Sequence, residues 1–279
     1  MIESLEKINL EFENNYQVIF NTPKLAQKYL NKRSDIFDEL IIDEFLKRKL
    51  ENDFAIVALG GYGRRELFPS SDIDLSIIQL MKKTEKIDDI KDFIGWLWTL
   101  NVKIGHSVRT IKDIDTITKS DLKEFTSYLS NRIIYCNKNK INYLDQNLNK
   151  ISSNWNKAKF FKAKKLEQQR RYQSFNSTEF SLEPDLKESP GCLRDFQTAL
   201  WILEHCFEIE KLEDCIRTKL FKKTEIENVK RSYGHIKSLR FILNLNGNSN
   251  RISFENQLLL AKKSKLKSSK KSSAVEKFM

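Results

Sequence analysis

Between residues 35 and 50, apolar positions recur every three or four residues: Ile36, Phe37, Leu40, Ile41, Phe45 and Leu50. That spacing predicts a helix over about 35–50. The period changes at Phe54–Leu59 (FAIVAL), a short apolar run that ends on Gly60-Gly61 and reads as a buried strand. Asp72–Leu80 (DIDLSIIQL) opens with strict alternation, turns continuously apolar and predicts a second strand. Residues 85–100 carry an amphipathic helical pattern, and Asn101–Arg109 (NVKIGHSVR) alternates as a third strand. Helix, strand, turn, strand, helix and strand make an α/β unit. From residue 119 the pattern is helical, over about 119–136, 155–176, 193–209, 223–246 and 254–263. Leu182–Pro190 (LEPDLKESP) breaks it, and Ser273–Met279 opens one more helix. The expected class is α+β, with an extension over 1–34, an α/β domain over 35–118 and a mostly α-helical domain over 119–279.

Composition narrows the class. Hydrophobic residues at 40% and aromatics at 11% supply a core and exclude a disordered chain. The isolated tryptophans Trp96, Trp98, Trp155 and Trp201 are expected in that core. No apolar run reaches the ~18 residues of a membrane span. The acidic, polar N-terminus is not a secretory signal, so a cytoplasmic setting is expected. The formal charge of +11 suggests an anionic partner, but six lysines fall within Lys262–Lys271, read as a solvated loop. Charge therefore does not argue for nucleic acid. The cysteines Cys136, Cys192, Cys206 and Cys215 form no C-x-x-C pair, which disfavours zinc or a disulfide framework.

The chemistry concentrates in Leu59–Leu75, LGGYGRRELFPSSDIDL. Glycines after a strand permit φ > 0 and let backbone N–H groups approach a phosphate. Arg64 and Arg65 follow, and guanidinium groups suit phosphate oxygens. Asp72 and Asp74 stand at i and i+2 on a strand, so both carboxylates face one way and repel unless a divalent cation bridges them. Neither the dinucleotide fingerprint G-x-G-x-x-G nor the Walker pattern is present.

This segment resembles the nucleotidyltransferase signature of the DNA polymerase β-like superfamily. With KIGHSVRT (103–110) and SLEPDLKESPGCLRD (181–195), it resembles the bifunctional uridylyltransferase/uridylyl-removing enzymes that modify the PII nitrogen-signalling protein. The resemblance implies a polymerase β-like domain followed by a helical one. It implies transfer of UMP from UTP to a PII tyrosine, with release of pyrophosphate. Asp72 and Asp74 would be catalytic and bind Mg²⁺, while Gly60, Gly61, Arg64 and Ser71 would bind the nucleotide. Polymerase β-like enzymes often add a third carboxylate on a later strand, but 101–109 offers Lys103, His106 and Arg109 instead. Arg65 and Cys192 stand where the family has glycine, and Cys192 would strain its turn if φ > 0 were required there. Full-length members carry a hydrolase with His-Asp pairs and glutamine-sensing domains. No His-Asp dipeptide occurs here, so the expectation is a truncated form with transfer chemistry alone. The alternative is a catalytically inactive nucleotide- or PII-binding fragment. A nucleotidyltransferase acting on RNA is a weaker third reading.

Overall fold

Phe54–Ala58 are five successive residues buried on both faces, and the sheet is built around them. The computed structural model describes residues 2–175, 181–247, 249–269 and 272–278. In chain order the elements begin with α1 (Ile2–Asn14), α2 (Tyr16–Asn21), α3 (Leu25–Lys47), β1 (Phe54–Ala58), α4 (Gly60–Gly63) and β2 (Ile73–Gln79). Next come α5 (Ile87–Trp98), β3 (Ile104–Thr110), α6 (Ile111–Ser120), α7 (Leu122–Leu129), β4 (Arg132–Tyr135) and α8 (Ile141–Ile151). The chain continues through α9 (Lys157–Gln173), α10 (Leu193–Phe207), α11 (Asp214–Arg217), α12 (Lys223–Gly247), α13 (Phe254–Lys263) and α14 (Ala274–Phe278). The class is α+β, as expected. Two expectations reach beyond the described residues: the 155–176 helix at residue 176, and the lysine run at Lys270 and Lys271. Met279 lies outside them too.

The chain divides into two compact units. One holds Leu30–Leu67 and Ser71–Phe160; the other holds Ile2–Tyr29, Phe68–Ser70 and the chain from Phe161 onward.

The first unit carries a four-stranded sheet in the order β3-β2-β1-β4. β1 runs antiparallel to both its neighbours, while β2 and β3 are parallel, joined by the crossover helix α5. Asp74 pairs with Gly105 and Leu75 with His106. Alternation therefore puts Asp74, Ser76 and Ile78 on one face with Gly105, Ser107 and Arg109. Helix α7 meets that face, where the Ser76 and Tyr128 hydroxyls lie 2.7 Å apart and Arg109 binds Glu124 bidentately at 2.6 and 3.1 Å. The opposite face meets α3 and α5, with Phe45 against Phe93 and Tyr135.

One stretch differs from its predicted form. Residues 119–136 are not one helix but the end of α6, then α7, then β4. Asp121 breaks the run because its carboxylate caps α7, accepting the Lys123 and Glu124 N–H groups at 2.7 and 3.1 Å. Arg132–Tyr135 is four residues long and half-buried, and at that length an apolar pattern does not distinguish strand from helix. Trp98 departs from the core expectation too. It is 64% exposed, since it follows Leu97 on α5 and so points away from the stripe of Ile90, Phe93 and Leu97.

The second unit is helical. Phe12 stacks on Phe241 at 3.8 Å between ring centroids, joining α1 to α12. A Cβ on Gly234 would lie 2.8 Å from Pro23, so α12 needs glycine at this approach. Lys262 and Lys263 belong to α13 rather than to a loop. The four cysteines are free thiols.

Candidate active site

The glycine string does three different jobs. Gly60 adopts φ 54, the left-handed region that glycine enters without a Cβ penalty. Gly63 has no such need; instead, a Cβ there would sit 1.8 Å from the Ser130 carbonyl oxygen and 3.0 Å from that of Ala58. Gly61 meets neither restriction, because an added Cβ would lie 3.7 Å from the Glu66 carbonyl oxygen, an ordinary contact. Tyr62, between them, is fully buried and donates its hydroxyl to Asp38 at 2.6 Å. Arg132 grips the same carboxylate at 2.6 and 3.0 Å and reaches the Tyr62 carbonyl at 3.4 Å. Burial, then the Asp38 charge, push the Tyr62 hydroxyl well above its ordinary pKa, so it remains a donor. This buried set fastens the glycine turn to α3 and β4. No sequence signal pointed to it, since Asp38 and Arg132 are 94 positions apart.

The two aspartates stand beside this turn. Asp72 immediately precedes β2 and Asp74 is its second residue; both are exposed. The Leu59 N–H donates to the Asp74 carbonyl at 2.9 Å, tying the end of β1 to the start of β2. The Asp74 carboxylate lies by Gly60, with Oδ2 3.5 Å from where a Cβ on that glycine would be. The Gly60 turn and Asp74 are thus brought together, with Asp72 two residues before. Arg64 follows the turn, its Nε donating to Glu66 at 3.0 Å and its Nη1 to the Ser130 hydroxyl at 3.1 Å. Ser71 is half-buried and directly precedes Asp72. Among the described residues, no group of three or more His, Cys, Asp or Glu is arranged to hold a metal.

Residues 159–279 match the family model described as GlnD PII-uridylyltransferase. The chain is also similar to curated enzymes named bifunctional uridylyltransferase/uridylyl-removing enzyme. The identity is 33% over 92% of this chain for the Haemophilus influenzae (strain PittEE) enzyme and 34% over 87% for that of Pseudoalteromonas translucida. It is 32% over 93% for the Hydrogenovibrio crunogenus enzyme.

Residues 159–279 belong to the GlnD PII-uridylyltransferase family.

The chain spans 28–30% of the length of these three relatives. Among the described residues, no helix is long and apolar enough to cross a membrane.

The two departures from the family pattern now have a structural reading. Arg65 adopts φ 56, a left-handed conformation that explains why glycine suits the position. Its guanidinium pairs with Asp35 and lies 3.7 Å from Asp38, both on α3. The left-handed backbone costs a residue with a Cβ about 1 kcal/mol or more, and a partly exposed ion pair returns at most about 1 kcal/mol. Arg65→Gly is therefore expected to stay within about 1 kcal/mol of the wild type. Arg65→Ala, which keeps the strain and loses the pair, should fall about 1 kcal/mol below Arg65→Gly in urea unfolding. Equal stability of the two variants would show that the backbone at 65 is unstrained.

Cys192 carries no strain. Its φ is −95, and the left-handed residue is Gly191, at φ 77. Burial and the nearby Asp185 and Asp195 push its thiol up to about 11, so it stays protonated at neutral pH. One ground for reading the chain as an inactive fragment is thereby removed.

The 181–195 cluster is held together by a dense set of hydrogen bonds and ion pairs. The Asp195 carboxylate accepts from Gln168 at 2.9 Å, the Tyr172 hydroxyl at 2.6 Å, the Gly191 N–H at 2.6 Å, and Arg171. Burial pushes its carboxyl up, but these donors outweigh it and hold the carboxyl below its ordinary value. Asp185 caps its own turn by accepting the Lys187 and Glu188 N–H groups, both at 2.8 Å. Glu183 binds Arg251 at 2.7 Å, and Arg194 binds Glu188 at 3.2 Å.

On β3, His106 shares a face with Leu75 rather than Asp74, and its ring meets the edge of Trp98 at 5.7 Å between centroids. Arg109 is committed to Glu124. Neither takes the place of a third carboxylate beside Asp74.

Proposed function

We propose that this chain transfers UMP from UTP to a tyrosine hydroxyl of the PII protein. The tyrosine oxygen attacks the α-phosphorus, the α–β phosphoanhydride bond breaks, and pyrophosphate leaves. The observation that carries this reading is the closeness of the Asp74 carboxylate to Gly60. It supports reading the glycine turn and the acid pair as parts of one site. The family-model match over residues 159–279 supports it, as do the names of the relatives.

The donor set fits Mg²⁺. That ion is commonly held by one or two carboxylates together with substrate phosphates, rather than by a cage made wholly of protein. Asp72 and Asp74 supply two such hard oxygen donors at a solvent-open position. When bound, Mg²⁺ supplies neutralisation of phosphate charge and acidification of the attacking hydroxyl. Gly60 and Gly61 let the backbone come within hydrogen-bond reach of the triphosphate. Arg64, held in place by Glu66 and Ser130, adds positive charge beside the turn. Ser71 lies next to the acid pair and completes the nucleotide-binding set.

Labelled UTP, Mg²⁺ and PII incubated with the chain should yield labelled PII, and absence of label would reject the reading. Gly61→Ala sharpens the test, since the fold accepts the methyl group. Its melting temperature should match or exceed that of the wild type, because alanine favours a helical turn. Its KM for UTP should rise about tenfold, equal to a loss of about 1.4 kcal/mol. An unchanged KM would remove Gly61 from the nucleotide site. A cytoplasmic setting, where UTP and PII meet, is part of the proposal; nucleic acid is not a partner in it.

A further inference from the structure

We propose that Gly105 is a positioning residue for Asp74, and that its missing side chain holds the space the carboxylate needs. This rests on the proposed metal role of Asp74. Gly105 is the in-register partner of Asp74 on the edge strand β3. A Cβ on Gly105 would lie 2.7 Å from Asp74 Oδ1, and among the described residues the only atoms it would meet within 4 Å belong to Asp74. The other carboxylate oxygen faces Gly60 at 3.5 Å by the same measure. The carboxylate therefore lies between two glycines, one on each flanking element. Glycine inside a strand weakens it, and its presence there marks a close approach by another group. Here that group is the end of a side chain that can rotate away, so an added methyl displaces the carboxylate rather than the backbone. Mg²⁺ demands near-ideal octahedral geometry. A displaced ligand therefore lowers metal affinity and turnover while the fold survives.

The test uses the full chain and Mn²⁺ as the probe, titrated with UTP present and read by electron paramagnetic resonance. Gly105→Ala should raise the apparent Kd for Mn²⁺ at least tenfold and lower kcat, with a melting temperature close to that of the wild type. Gly95→Ala, on α5 where a Cβ meets nothing within 4 Å among the described residues, serves as the control and should bind as the wild type does. Wild-type Mn²⁺ affinity in Gly105→Ala would overturn the positioning role and leave the site reading intact. No Mn²⁺ binding by the wild type itself would overturn both. If Gly105→Ala unfolds, Asp74→Ala/Gly105→Ala decides: recovery of the fold supports the steric pairing with Asp74, and continued unfolding refutes it.

Discussion

Asp74→Asn is expected to lower UMP transfer to PII about a thousand-fold while leaving the fold in place. The side chain is exposed at the start of β2, and asparagine keeps its shape and the backbone bond from Leu59. What is lost is one of the two charges proposed to hold the metal. A bound cation contributes several kcal/mol of charge stabilisation in such reactions, and about 4 kcal/mol corresponds to three decades of rate. Exposed substitutions of this kind change stability by about 0.5 kcal/mol or less. The measurement pairs initial rates of label transfer with thermal unfolding. A variant within tenfold of the wild-type rate would take Asp74 out of the catalytic set. Asp72→Asn should behave in the same way.

Gly63→Ala is expected to damage the fold itself. The new Cβ would lie 1.8 Å from the Ser130 carbonyl oxygen, and backbone atoms have no rotamer by which to escape. Either the glycine turn or the chain leading into β4 must move. That shift would also disturb the bond from Arg64 to the Ser130 hydroxyl and the Arg132 grip on Asp38. Overpacking of this severity costs about 3 kcal/mol or more, a large part of a typical stability of 5–15 kcal/mol. For a chain of this size the melting temperature should fall by about 6–12 °C, read by circular dichroism. A fall below about 2 °C would mean the two segments separate without cost. The neighbouring Gly61→Ala makes the comparison pointed, because two adjacent-looking glycines are expected to fail in different ways.

That contrast shows which parts were legible in the chain and which were not. FAIVAL, DIDLSIIQL and NVKIGHSVR announce strands because each is a β-compatible run bounded by turn residues. Their positions in the fold, β1, β2 and β3, follow those runs closely. β4 escaped because four half-buried residues carry no decisive period, and its identity depends on pairing with β1 some 75 positions earlier. The acids and glycines of the candidate site stand out as a local string. The separate duties of Gly60, Gly61 and Gly63 do not, since they depend on folded geometry: a left-handed φ at Gly60, an ordinary contact at Gly61, and the close approach of Ser130 at Gly63. The parity of β3 separates His106 from Asp74 only once the register is known. Cys192 resembled a strained substitution because sequence could not say which of two adjacent positions takes φ > 0; Gly191 does.

The parallel pairing of β2 with β3 has one more consequence. β1 delivers the glycine turn at its end, whereas Asp72, Asp74 and Gly105 all belong to strand beginnings, so every component gathers at one rim of the sheet. The far rim, where β2 hands over to α5 through Leu80–Lys86, carries none of the proposed chemistry. A change of length in that loop is therefore expected to leave the proposed site in place, since Gly60, Asp72, Asp74 and Gly105 all lie at the opposite rim.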